Sequence, residues 1–157
     1  MIIHFFNYHY AFTPSLIGIV GFNYATFIRN SDNNFADYYA GVIWGTWKLD
    51  VTYDPKYSGF DEKMLYAKLS KSLYLSPTTY LLGHVGEIVF SDNFLAQSSN
   101  YQDYRVGLGF NLEGLNTEIA YTNTLNHRLF FDNKISDKDA AVTISISKTF
   151  GLITDKK

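Results

Sequence analysis

The sequence predicts an all-β protein: an antiparallel up-and-down transmembrane β-barrel, with about nine strands here and the barrel incomplete. Three observations predict it. Apolar and polar residues alternate with period two along almost the whole chain, and helical periodicity is nearly absent. The connections are by turns short and long, so the long ones share one end of the sheet. Aromatic residues make up 18% of the chain, with 13 Tyr and 13 Phe, and many stand at the ends of the alternating segments.

The elements follow in order. A first strand at about 2–11 contains His4 and His9, five positions apart and therefore on opposite faces. The second, 15–28, carries "SLIGIVGFNYATF", apolar on both faces for several residues, so its orientation stays open. A third spans 36–44. The fourth, 47–54, is the cleanest: Trp47, Leu49, Val51 and Tyr53 oppose Lys48, Asp50, Thr52 and Asp54. In the fifth, 62–72, Leu65, Ala67, Leu69 and Leu73 face away from Met64, Lys68, Ser70 and Ser72. The sixth, 79–91, places an awkward group on either face, His84 on one and Glu87 on the other. The seventh, 101–111, sets Tyr104, Val106, Leu108 and Phe110 against Asp103, Arg105, Gly107 and Gly109. The eighth, 115–123, sets Leu115, Ile119 and Tyr121 against Asn116, Glu118, Ala120 and Thr122. The ninth, 140–150, alternates Val142, Ile144, Ile146, Lys148 and Phe150 with Ala, Thr and Ser.

Short connections fall at 12–15, 44–47, 74–79 and 111–114; longer polar ones fall at 29–35, 54–61, 91–100 and 124–137. Short turns at one end and long loops at the other is the layout of a membrane barrel. Phe12, Trp44, Trp47, Tyr74, Tyr80, Phe110 and Phe150 stand next to the short turns. Tyr53, Tyr57, Phe90 and Tyr101 stand near the long loops. Rings with a polar handle favour the membrane–water boundary. Trp44, Trp47, Tyr53, Tyr74, Tyr80, Phe110 and Phe150 are therefore read as an aromatic girdle.

With 157 residues, the chain has room for one domain, read as 1–150 with a tail at 151–157. Charged residues make up only 18%, and a net charge of −2 argues against a nucleic-acid partner. The absence of cysteine excludes disulfides and thiolate chemistry. No apolar run reaches the ~18–20 residues of a membrane-spanning helix. The start "MIIHFFNYHY" lacks the basic region and cleavage site of a signal peptide. His4, His9, His84 and His127 have no metal-ligand spacing, and no cofactor is expected. Nothing resembles a nucleophile elbow, and "GLGFNLEG" has Leu112 where a dinucleotide loop needs its third glycine. The chain is not read as an enzyme. Loop acids Asp54, Asp61, Glu62, Asp92, Asp132, Asp137 and Asp139 are mixed with Lys56, Lys63, Arg128, Lys134 and Lys138, as on a solvated surface.

If the apolar faces meet lipid, the opposite faces line a lumen with Lys48, Asp50, Lys68, Asp103, Arg105 and Glu118. Opposite signs in equal number give little net ion selectivity.

Four blocks, "DYYAGVIWGTWKLDVTYDPKYSG", "YLLGHVGEIVFSD", "YQDYRVGLGFNLEGLNTEIAYTNT" and "AAVTISISKTF", resemble in order and spacing the TorF family of bacterial outer-membrane porins. The resemblance covers roughly the last nine-tenths of the chain. It implies an outer-membrane barrel, in contact with lipid and lipopolysaccharide, and no particular substrate; the alternating faces and loop lengths lead to the expectation of passive diffusion of small hydrophilic solutes. It also implies a signal peptide and further strands upstream, an odd number of them, so the chain is expected to be truncated. A terminal strand ending on an aromatic resembles the signal read by the barrel-assembly machinery. Two departures weaken that signal: Lys148 replaces an apolar residue, and seven residues follow Phe150. The alternatives are a soluble lipocalin-like barrel that binds an apolar ligand on an inward greasy face, and a non-conducting structural barrel.

Overall fold

A computed structural model describes residues 2–28, 34–57, 63–90, 100–125 and 140–148. They form β1 (Ile2–Thr13), β2 (Leu16–Thr26), β3 (Phe35–Trp44), β4 (Trp47–Asp54), β5 (Met64–Tyr74), β6 (Thr79–Phe90), β7 (Tyr101–Leu112), β8 (Leu115–Leu125) and β9 (Ala141–Lys148). The strands lie side by side in chain order, each antiparallel to the next. The all-β class and the antiparallel up-and-down strand order are as the sequence predicts, and the described strand boundaries lie within about two residues of their expected places. The sheet is open: β1 and β9 are its edges. Among the described residues no helix is long and apolar enough to cross a membrane, which bears on helices alone.

Local chemistry sets the short connections. The β3–β4 turn begins on Gly45 at φ 57°, and the β7–β8 turn has both Glu113 (φ 50°) and Gly114 (φ 79°) in the left-handed region. Two-residue turns of this kind match the twist of the strands they join. At the β1–β2 corner the register shifts between Ala11 and Thr13, and the Ser15 amide donates to Thr13 Oγ1 at 3.3 Å. In the β5–β6 connection the Thr79 amide donates to Ser76 Oγ at 3.0 Å.

Cross-strand partners share a face, so the registers sort every strand residue onto one side or the other. One side carries Val20, Phe22, Val42, Leu49, Leu69, Val85, Val106, Ile119 and Ile144, all exposed. The other is the shielded, concave side, and it holds the most buried groups: Asp54 at 1%, Ala25 and Ala120 at 2%, and Asp50 at 9%. Ile19, Ala25, Met64 and Ala120 are the buried apolar residues among those described, too few for an interior core. The apolar area of this fold is on its outside.

Both strands left open by the sequence have a definite orientation. In β2, Ile19, Gly21, Asn23 and Ala25 take the concave face, and Val20, Phe22 and Tyr24 the convex one. In β6, His84 pairs with Ser70 and Arg105 on the concave face; Glu87 pairs with Ala67 and Gln102 on the convex face.

Candidate functional site

The concave face is organised in rungs perpendicular to the strands. Gly41, Asp50, Lys68, Gly86, Asp103 and Thr124 are successive partners across β3 to β8. The next rung toward the short turns is Ile43, Lys48, Ser70, His84, Arg105 and Thr122. Two rungs further come Tyr74, Tyr80, Gly109, Glu118 and Ser145. All six residues read as lumen-lining, Lys48, Asp50, Lys68, Asp103, Arg105 and Glu118, lie on this face.

Each of the three acids read as lumen-lining has a basic neighbour. Lys48 Nζ is 2.9 Å from Asp50 Oδ1, and Lys68 Nζ is 4.0 Å from Asp50 Oδ2. His84 Nε2 lies 2.6 Å from Asp103 Oδ2, to which the Tyr66 hydroxyl also donates at 3.3 Å. Arg105 Nη2 donates to Glu118 Oε2 at 3.0 Å. Such part-exposed pairs contribute only about 0–1 kcal/mol each to stability. Their larger consequence is electrostatic: the wall carries charge of both signs in close pairs, so its field is short-ranged.

Glycines shape the wall by letting a neighbour's side chain lie down on the sheet. A Cβ on Gly41 would stand 2.8 Å from Asp50 Oδ1, and one on Gly86 would meet Asp103 Oδ1 and the Tyr66 ring. Gly21 is covered in the same way by Tyr39, and Gly109 by Tyr80. These ring–glycine pairs are absent from the sequence reading.

Of the residues read as a girdle, Trp44, Trp47, Tyr53 and Phe110 stand on the convex face. Tyr74 and Tyr80 pair with each other on the concave face, where Gly109 opens space for the Tyr80 ring. The Tyr80 hydroxyl lies 2.7 Å from Glu118 Oε1 and 2.8 Å from Asn116 Oδ1. Phe150, His127 and the tail at 151–157 lie outside the described residues, as do Asp61, Glu62, Asp92, Asp132, Asp137, Asp139, Arg128, Lys134 and Lys138. Of the other loop charges, Asp54 is buried at the end of β4, where its Oδ1 accepts the Lys56 amide at 2.8 Å. Among the described residues no three His, Asp or Glu side chains converge as metal ligands would.

The chain thus defines a class: a nine-stranded up-and-down sheet with an apolar convex face and a polar, charge-paired concave one. It belongs to the Gcw_chp family, described as bacterial proteins of unknown function, whose family model matches residues 7–150. Comparison with the curated proteins and with the solved structures gives no match.

Proposed function

We propose that this sheet is part of the wall of a bacterial outer-membrane channel through which small hydrophilic solutes diffuse. The observation that carries the reading is the sorting of charge between the faces. On the concave side stand Asp37, Lys48, Asp50, Asp54, Lys68, Asp103, Arg105 and Glu118. On the convex side of the described strands only Lys71, Glu87 and Lys148 are charged.

Those three sit where a bilayer tolerates them. A lysine on the lipid face costs about 2–4 kcal/mol at the midplane and about 0–1 kcal/mol near the interface. Lys71 and Lys148 lie toward the short-turn ends of their strands and Glu87 toward the long-loop end. Lys71 Nζ is also 4.3 Å from the centre of the Trp47 ring, at the short-turn rim. A ligand-binding barrel in water has the reverse arrangement, with its apolar face inside. The resemblance to TorF-like porins supports the same reading. On it, the convex face meets lipid and lipopolysaccharide, and the last strand engages the assembly machinery.

The test is to express the chain with an export signal, recover it from the outer-membrane fraction together with the strands that complete the sheet between β1 and β9, and record conductance in a planar bilayer. Discrete steps with a modest preference for K⁺ over Cl⁻ are expected, because three of the five acids on this wall have basic neighbours. A folded product that stays soluble without lipid overturns the membrane reading. A membrane-inserted but silent product overturns the channel.

A further inference from the structure

At the short-turn end of the concave face, Tyr74, Tyr80, Asn111, Asn116, Glu118 and Ser147 line a cleft of about 510 Å³. That lies within the roughly 300–1,000 Å³ of small-molecule sites. We propose that this cleft binds a neutral polyhydroxylated solute, a pyranose sugar. The proposal deepens the channel reading, and rests on it for the role of the cleft as a station on the solute's path.

Three properties of the cleft select this chemistry. First, among the described residues it has no free charge to hold an ion: Glu118 is the acid that lines it, and Arg105 Nη2 donates to its Oε2 at 3.0 Å. Second, its polar groups are arranged in the short chains that hydroxyl groups join. The Tyr80 hydroxyl lies within 2.8 Å of both Glu118 Oε1 and Asn116 Oδ1, and Asn116 Nδ2 donates to Glu118 Oε1 at 3.4 Å. The side chains of Asn111 and Ser147 hydrogen-bond to no other described residue, which leaves an amide and a hydroxyl for a ligand. Third, two phenol rings stand together at the rim, their centres 5.8 Å apart and inclined at 48°. Aromatic rings offer an apolar surface beside a polar handle. A pyranose has the complementary form, with C–H groups on its faces and hydroxyls around its edge. A purely apolar ligand would leave the amides and hydroxyls of the cleft unpaired.

Tyrosine fluorescence tests the site directly, on the full chain folded into lipid vesicles, with glucose and maltose as probes and glucuronate and cyclohexanol as controls. A saturable response to the neutral sugars, absent for both controls, is expected. Asn111→Ala and Ser147→Ala remove side chains that make no hydrogen bond to another described residue, and each should weaken the response about three- to tenfold, as for one lost neutral hydrogen bond. Unsaturable or equal responses to all probes, or variants indistinguishable from the parent, overturn the proposal. Bilayer recordings separate it from the channel reading. Conductance that maltose leaves unchanged retains the channel and sinks the sugar site. Saturable binding by a silent protein retains the site and sinks the channel.

Discussion

Gly109 is where one hydrogen atom decides the shape of the wall. It pairs with Tyr80 on one side and Glu118 on the other, and the Tyr80 ring occupies the space a Cβ would take. The ring therefore lies along the sheet, within hydrogen-bonding reach of Glu118 and Asn116 two strands away from its own. Gly109→Ala should displace the ring and destabilise the folded sheet by about 1–3 kcal/mol, the usual cost of overpacking. Gly83 is the control: it sits on the convex face, and a Cβ there would meet nothing nearer than the Arg105 carbonyl at 3.4 Å. Gly83→Ala should change stability by less than about 0.5 kcal/mol. Urea unfolding in lipid vesicles measures both, and equal effects would show that the Tyr80 ring yields freely.

The strands differ in how much of their role the sequence discloses, and the reason is physical. In β4, β5, β7 and β8 polar and apolar residues alternate cleanly, so each face follows from composition alone. In β2 both faces are apolar because Ile19 and Ala25 fill the concave side beside Gly21, where polarity carries no signal. In β6 one charge stands on each face, and only the register, His84 with Arg105 and Glu87 with Gln102, assigns them. The face that Tyr80 takes is hidden in the sequence for the same cause. Its placement depends on meeting Gly109 across the β6–β7 connection, a long loop that does not fix register as a two-residue turn does. The β7–β8 hairpin is the opposite case, because its turn dictates register. Glu113 holds φ at 50°, a conformation that asparagine adopts more readily than glutamate. Glu113→Asn should stabilise the hairpin by about 0.5–1 kcal/mol, read as a higher urea midpoint at unchanged slope. No gain would mean that the β7–β8 ladder, not the turn, sets the geometry.

At the scale of the molecule, the open edges decide whether the concave face can be a conduit. Odd-numbered strands all run one way in an up-and-down sheet, so β1 and β9 are parallel to each other. Antiparallel closure then requires an odd number of further strands between them, entering from either edge. Direct closure would make a parallel β1–β9 seam; such an odd-stranded barrel is known in mitochondria but departs from the bacterial pattern. The two closures also differ in bore. Barrels of about eight strands have an interior just wide enough for side chains to fill, and larger ones leave a channel. A nine-stranded closure of this sheet would bring Tyr39, Tyr66, Lys68, His84 and Arg105 into a packed plug. The chain has no cysteine, so introduced pairs report the seam without background. Tyr8→Cys in β1 and Ile144→Cys in β9 are both mid-strand on the convex face. A disulfide needs Cα atoms about 4.4–6.8 Å apart, which only a direct seam would supply. We expect no intramolecular disulfide in the lipid-folded monomer, with each cysteine remaining open to a thiol reagent. An efficient intramolecular bond would establish the nine-stranded seam, and with it a filled interior that no solute crosses.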